Sequence, residues 1–210
     1  SWHLIALGAG SELIERHVKK VAGIPVFRID SDSTKTPKQC AEVAGMFEKT
    51  PSILVGTEQA LSYLPAQIDH IAISAIDSLL AIPDFAVEER IFSLLLSLRE
   101  LSLKTLLIQT RNPEHPTLLK AKAGDTHGFQ QNELTQRHVF AFPPYTTFIS
   151  IARFGQKNVV TKEIATLSTV LAPYVPTLLP TQKGARRGSE IVLRIPREKW
   201  PDQNLLTLLR

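Results

Sequence analysis

Ser52-Ile53-Leu54-Val55-Gly56-Thr57 is a short apolar run closed by a glycine. A strand with one wet face alternates apolar and polar residues, whereas a strand covered on both faces is apolar throughout. The run therefore predicts a doubly buried strand, the kind found in parallel sheets flanked by helices. Ile24–Ile29 upstream and Ile68–Ile73 downstream read as further strands, and His3–Leu7 and Lys104–Gln109 bring the predicted set to five. Helical patterns lie between them. Ser11 is placed to cap a helix reaching Val21, with Glu12 and Glu15 in the turns where the helix dipole favours acids. Thr36-Pro37 opens a second helix reaching Lys49, since proline is tolerated in a first helical turn. In the stretch Glu88–Leu101, Ile91, Leu94, Leu95 and Leu98 fall on one helical face. Strands and helices in alternation predict βαβ units and a parallel sheet, half of a doubly wound α/β architecture.

The second half reads differently. Pro113 and Pro116 break the pattern, a helical stretch runs from Thr117 to Phe140 with an interruption at Gly124, and Phe142-Pro143-Pro144 stops it. Beyond that, Thr147–Phe154 alternates like a strand, and Val159–Leu171 is amphipathic. Thr177–Leu179 and Glu190–Ile195 read as strands joined by a Lys/Gly/Arg-rich loop, and Pro201–Leu209 as a last helix. This order, βαββα, predicts a small α+β module.

Composition narrows the possibilities. The 210 residues are 43% hydrophobic, enough for a substantial core. With one cysteine, Cys40, the chain has no internal disulfide and no four-cysteine zinc site. No apolar run reaches the roughly 18 residues that span a bilayer, and a cytoplasmic location is expected. The chain begins at Ser1 and has Met46 as its one methionine, so it is expected to be an internal or C-terminal piece of a larger protein. Charge is divided unevenly. Residues 1–110 carry 10 Lys and Arg against 13 Asp and Glu, whereas residues 111–210 carry 14 against 7. A basic half suggests a polyanionic partner, with a solvated basic surface as the alternative.

No phosphate-binding G-x-x-x-x-G-K-[ST] loop is present. Gly8-Ala9-Gly10-Ser11 follows a predicted strand and opens a helix, but it lacks the lysine, and a tight turn accounts for its glycines. More telling is a succession of short blocks: Gly10-Ser11-Glu12, Arg28-Ile29-Asp30-Ser31-Asp32, Ile53-Leu54-Val55-Gly56-Thr57-Glu58 and Pro83-Asp84-Phe85 with Glu89-Arg90. Gln109-Thr110-Arg111-Asn112-Pro113-Glu114-His115-Pro116 and Phe142-Pro143-Pro144-Tyr145 complete it. The succession resembles the second motor lobe and C-terminal domain of the primosomal protein N′ family, the replication-restart DNA helicases of superfamily 2. The resemblance implies a RecA-like parallel-sheet helicase lobe followed by a small α+β C-terminal domain. The divisions it suggests are a lobe at 1–112, a helical connector at 113–143 and a basic domain at 144–210. It further implies an ATP-dependent 3′→5′ helicase acting on forked or single-stranded DNA, with single-stranded-DNA-binding protein and other primosome proteins as partners. ATP with magnesium, and zinc, are the cofactors of the family; the zinc-binding cysteines precede the point where this chain starts.

The departures from the family pattern bear on activity. Leu61-Ser62-Tyr63-Leu64-Pro65 stands where the family couples nucleotide to DNA through a lysine, a glycine and an aspartate. Ala75-Ile76-Asp77 replaces Asp-Ala-Asp, and Ala86 replaces an arginine. Ser97-Leu98-Arg99-Glu100-Leu101-Ser102-Leu103-Lys104 occupies the place of the motif bearing the arginine fingers. Such fingers typically contribute roughly 10³–10⁵ in rate, which Leu101 cannot supply. Gly56, Thr57, Asp77 and Arg99 are then the vestiges of a nucleotide site, and the chain alone is expected to lack catalysis. Among other residues, His115 is expected to stabilise a turn, Asp84 and Glu88 to cap a helix, and His127 and His138 not to bind metal.

Lys183-Gly184-Ala185-Arg186-Arg187-Gly188 is the clearest candidate for contact with a DNA backbone, with glycines allowing close approach and cations meeting phosphates. Arg153, Lys157 and Arg194 are expected to extend it. Few aromatic residues lie near in sequence, so extensive base stacking is not expected. The function predicted is non-specific DNA binding and partner docking in replication restart. The alternatives are part of an active DNA-dependent ATPase whose first lobe lies upstream, and a protein-binding scaffold that no longer touches DNA.

Overall fold

The computed structural model describes residues 10–184 and 186–209. The strand expected at His3–Leu7, the turn residues Gly8 and Ala9, and Ala185 lie outside them. The chain divides into two compact units between Thr126 and His127, a point inside the 113–143 stretch.

The first unit opens with α1 (Ser11–Val21), β1 (Val26–Ile29), α2 (Pro37–Lys49) and β2 (Ile53–Gly56). Thr36 caps α2 as the first half of a capping box, its hydroxyl accepting from the Gln39 amide while the Gln39 side chain accepts from the Thr36 amide. The expected cap of α1 is corrected. Gly10 holds the cap position, and the Ser11 hydroxyl instead donates to the carboxylate of Asp30, at the end of β1. The apolar face of α2 closes over the strands: Ile29, Cys40, Ala44 and Ala60 form a buried cluster with Val43, Leu54 and Tyr63 against it.

After a 3₁₀ turn at Glu58–Tyr63 come β3 (Ile68–Ile73), α3 (Ile76–Leu80), α4 (Val87–Leu101), β4 (Ser102–Ile108) and α5 (Pro116–Ala123). Helix α4 buries Ile91, Phe92, Leu95 and Leu98, the face that the spacing predicts, with Leu94 at its margin. The expected capping of α4 by Asp84 and Glu88 is corrected: Ala86 holds the cap position and no side chain caps the helix. Asp84 accepts from the Ala86 amide at 3.0 Å, and Glu88, in the first turn of α4, accepts from the Thr117 hydroxyl at 2.5 Å. His115 caps α5, accepting from the Thr117 amide at 3.3 Å.

The expected single sheet is replaced, among the described residues, by two parallel pairs. β1 pairs with β2 from Val26↔Ile53 to Ile29↔Gly56, and β3 with β4 from Ile68↔Ser102 to Ile73↔Ile108. Each pair encloses its own helices, as a βαβ unit requires. Residues 57–67 alone separate β2 from β3, whereas parallel neighbours need a crossover of about a dozen residues or more. The first unit is thus mixed α/β, with small parallel sheets.

Helix α6 (Thr126–Val139) leads into the second unit, which continues with β5 (Thr146–Phe154), α7 (Lys157–Val170), β6 (Thr177–Lys183), β7 (Arg186–Pro196) and α8 (Gln203–Leu208). This is the βαββα order read from the sequence. The strands form one antiparallel sheet, β5-β7-β6. Alternation sends Ile149 and Ile151 of β5, and Ile191, Leu193 and Ile195 of β7, to the face that packs on Val160 and Ile164 of α7 and Leu205 of α8. Asp202 caps α8, accepting from the Leu205 amide at 2.9 Å. Among the described residues no helix is long and apolar enough to cross a membrane.

Candidate nucleic-acid interface

The register of the second sheet decides where its cations stand. β6 and β7 pair all the way to Lys183↔Arg186, so most of the stretch expected to be a loop at 183–188 belongs to the two strands, with a turn at Gly184. Gly184 supports that turn at φ +59°. Backbone pairing satisfies the donors and acceptors that a free loop would leave to water. Pro180, which would interrupt a central strand, is accommodated because β6 is an edge strand.

The six predicted DNA-binding cations fall on two sides. Arg186 and Arg194 share a side of β7 with Glu190 and Val192, opposite the core residues Ile191, Leu193 and Ile195, and Lys183 faces Arg186 across the ladder. Arg187 and Arg153 belong to the helix-covered side. There the Arg153 guanidinium meets Glu163 of α7 at 3.7 Å, with both side chains half exposed. Lys157 begins α7 and is exposed. Arg194 lies 5.3 Å from the ring centre of Phe148 and 5.7 Å from that of Phe142, so cation–π attraction fixes its direction.

Gly188 serves the protein's own packing. A Cβ at Gly188 would stand 2.1 Å from the Arg153 carbonyl oxygen and 2.9 Å from the Phe154 ring. Its missing side chain admits the neighbouring strand, a use different from the expected approach to DNA.

The four residues read as vestiges of a nucleotide site are placed as follows. Gly56 ends β2, and a Cβ there would meet that of Ala60 at 2.6 Å. Gly56→Ala is therefore expected to destabilise the first unit by about 2 kcal/mol, measurable as a lower urea midpoint; an unchanged midpoint would show that the turn yields freely. The Thr57 amide donates to the Ile29 carbonyl at 3.3 Å, tying the end of β2 to β1. Asp77 accepts from the Thr110 hydroxyl at 2.6 Å and the Arg111 amide at 2.9 Å. Those bonds, the Thr110 one foremost, hold its carboxyl below the usual carboxylate range. Arg99 lies with its guanidinium over Gly124, the left-handed residue that ends α5, where helix carbonyls favour a cation. Lys104 is engaged by Asp69 at 2.6 Å. Each of these groups thus has a local structural task.

One tightly held polar group was not singled out by its chemistry in the sequence. Asp30 is 3% exposed. It accepts from the Ser11 hydroxyl, the Ser33 amide at 2.7 Å and the Asp32 amide at 3.0 Å. Burial alone would push its carboxyl up, but these hydrogen bonds outweigh burial and hold it at about 2. Arg28 bridges it at 3.3 Å to Glu15 of α1 at 3.1 Å. The signal was Arg-Ile-Asp-Ser-Asp-Ser at the end of an apolar run, a place where an aspartate turns the chain by binding amides two and three residues on. Among the described residues, no group of three or more His, Cys, Asp or Glu is placed to hold a metal ion.

These features define a mixed α/β chain in which parallel strand–helix units precede an antiparallel sheet with a cationic face. The chain is a relative of replication restart protein PriA, as its motif blocks indicated. It is 30% identical to the protein of that name from Treponema pallidum over 149 residues, which cover 68% of this chain and 23% of that protein. Against the Synechocystis protein the figures are 28% over 186 residues, 85% and 22%, and against the Bacillus subtilis protein 29% over 153 residues, 69% and 19%. The chain thus spans about a fifth of the length of the curated relatives it matches. No family model matches it.

Proposed function

We propose that the chain is the second-motor-lobe and C-terminal part of a replication-restart protein, and that its second unit grips DNA through the phosphate backbone. On this reading the first unit is a RecA-like lobe kept as a scaffold. Leu101 and Lys104, the latter engaged by Asp69, stand at its arginine-finger positions, the nearby Arg99 is engaged over Gly124, and it turns over no nucleotide by itself. DNA, forked or single-stranded, and the proteins of a primosome are the partners, with single-stranded-DNA-binding protein among them.

The observation that carries the DNA reading is the pairing of Lys183 with Arg186 next to Arg187, at the tip of a unit whose residues 127–210 hold 11 Lys and Arg against 5 Asp and Glu. Cations fixed on a strand neutralise phosphates without the ordering cost of a free loop. The test is a DNA titration of the whole chain at about 50 and about 200 mM salt, the range over which phosphate-bound complexes weaken steeply. Changing both Arg186 and Arg187 to Ala is expected to lower the salt slope by about 2 and to weaken binding equally for every sequence. An absence of binding at the lower salt would sink the reading in favour of a scaffold that no longer touches DNA.

A further inference from the structure

The side of the second sheet that α7 leaves uncovered gathers residues far apart in the chain. Along β5 it presents Phe148, Ser150, Ala152 and Phe154; along β7, Arg194, Val192, Glu190, Gly188 and Arg186; along β6, Leu179, Thr181 and Lys183. Two cationic stations lie at its ends. At one, Phe154 stands opposite Gly188, its ring 38% exposed, with Arg186 the next residue of β7 on that side and Lys183 facing Arg186. At the other, Arg194 is held over Phe148. Phe154 lies six steps along β5 from Phe148, about 20 Å at ~3.4 Å per residue. Between the stations the surface is low: Ala152, Ser150, Val192 and Gly188, with Leu179 45% exposed. The one acid among these residues, Glu190, is engaged by the Ser150 hydroxyl at 2.5 Å.

A flat, partly apolar surface with an exposed ring and cations at both ends suits a polyanion that also offers flat apolar faces. A duplex hides its base faces in the stack and presents phosphates and base edges, whereas a single strand presents base faces beside its phosphates. We infer that this open face binds single-stranded DNA, with a base stacked on Phe154 and the flanking phosphates met by Arg186 and Lys183 at one end and by Arg194 at the other. The inference rests on the DNA reading above and narrows it to one strand and one face of the sheet. Arg153, on the helix side, takes no part, and Arg187 meets a phosphate from the rim of the hairpin, off this face. Gly188 is integral to the site because a side chain there would lift the Phe154 ring.

The test measures anisotropy of labelled twelve-residue oligothymidylate, oligouridylate and a duplex of the same length, titrated with the whole chain and with Phe154→Leu and Phe154→Trp. Leucine keeps apolar packing on Gly188 and loses the stacking face, so a folding defect and a stacking defect are separable. The expected result is that oligothymidylate binds most tightly and that Phe154→Leu weakens it about tenfold. Duplex binding is unchanged by that substitution, and Phe154→Trp binds at least as well as the unaltered chain. Equal oligothymidylate affinity for Phe154→Leu and the unaltered chain would overturn the inference while leaving backbone binding intact. Tighter binding of the duplex, or of oligouridylate, would overturn it as well. If all three probes fail to bind, the DNA reading itself falls.

Discussion

Asp30→Ala is expected to lower the stability of the first unit by about 3 kcal/mol. The substitution strands the Ser33 and Asp32 amides and the Ser11 hydroxyl, and leaves Arg28, 16% exposed, with Glu15 as its remaining ion-pair partner. Losing a buried acceptor costs the desolvation of each donor it served, about 1–3 kcal/mol apiece, and more where a charge loses its partner. The measurement is amide hydrogen exchange in the whole chain. Peptides covering β1 and β2 should lose protection, while those from β5 and β7 stay unchanged. Protection of β1 and β2 equal to that of the unaltered chain would show that the carboxylate is incidental.

Acid should reproduce part of the effect. The carboxyl lies at about 2 when folded, against 3.8 ordinarily, so folding favours its ionised form. That contribution, about 2 kcal/mol, is complete above roughly pH 4 and lost as the pH falls towards 2. In Asp30→Asn this segment of the stability profile should flatten.

Gly188→Ala is the second large effect expected, about 3 kcal/mol or more, from a single added methyl. The methyl would overlap the Arg153 carbonyl and press on Phe154; the exposed ring can lift away, but the carbonyl cannot withdraw. The carbonyl belongs to a strand paired along its length from Thr146 to Phe154. Overpacking of a site closed by backbone is relieved only by moving a strand. The end of β5 should separate from β7, exposing the Gly155 amide that now donates to Arg187. Thermal unfolding and exchange at residues 153–156 would both register it. A melting point matching the unaltered chain would show that β5 ends short of Phe154 in solution.

How far the sequence announced these features depends on the range of the interactions. Runs such as Ile53-Leu54-Val55 and the spacing of Ile91, Leu95 and Leu98 signal burial within a few residues, and the elements they predict are found. The Thr36–Gln39 box and the break at Gly124 are equally local. What was misread depends on partners distant in the chain. Ser11 looked like a helix cap until Asp30, nineteen residues on, supplied a better acceptor. Lys183 to Gly188 looked like a loop because glycine and arginine are poor strand formers, but pairing with Gln182 and the preceding residues of β6 drew them into the ladder. The β5–β7 ladder likewise places Phe154 opposite Gly188 and near Arg186, thirty-two positions apart in the chain. The short helix α3, carrying Asp77 to Thr110, had no periodic signal because its five residues are too few to show one.

Pro180 has a further consequence, for how copies of the chain meet. Its ring gives β6 no donor at that position, so the ladder to β7 passes it where none is required and the ring faces the outer margin of the sheet. An incoming strand aligned there would find a gap in its hydrogen bonds and a steric block. A margin guarded in this way resists the addition of a strand from a second copy at β6.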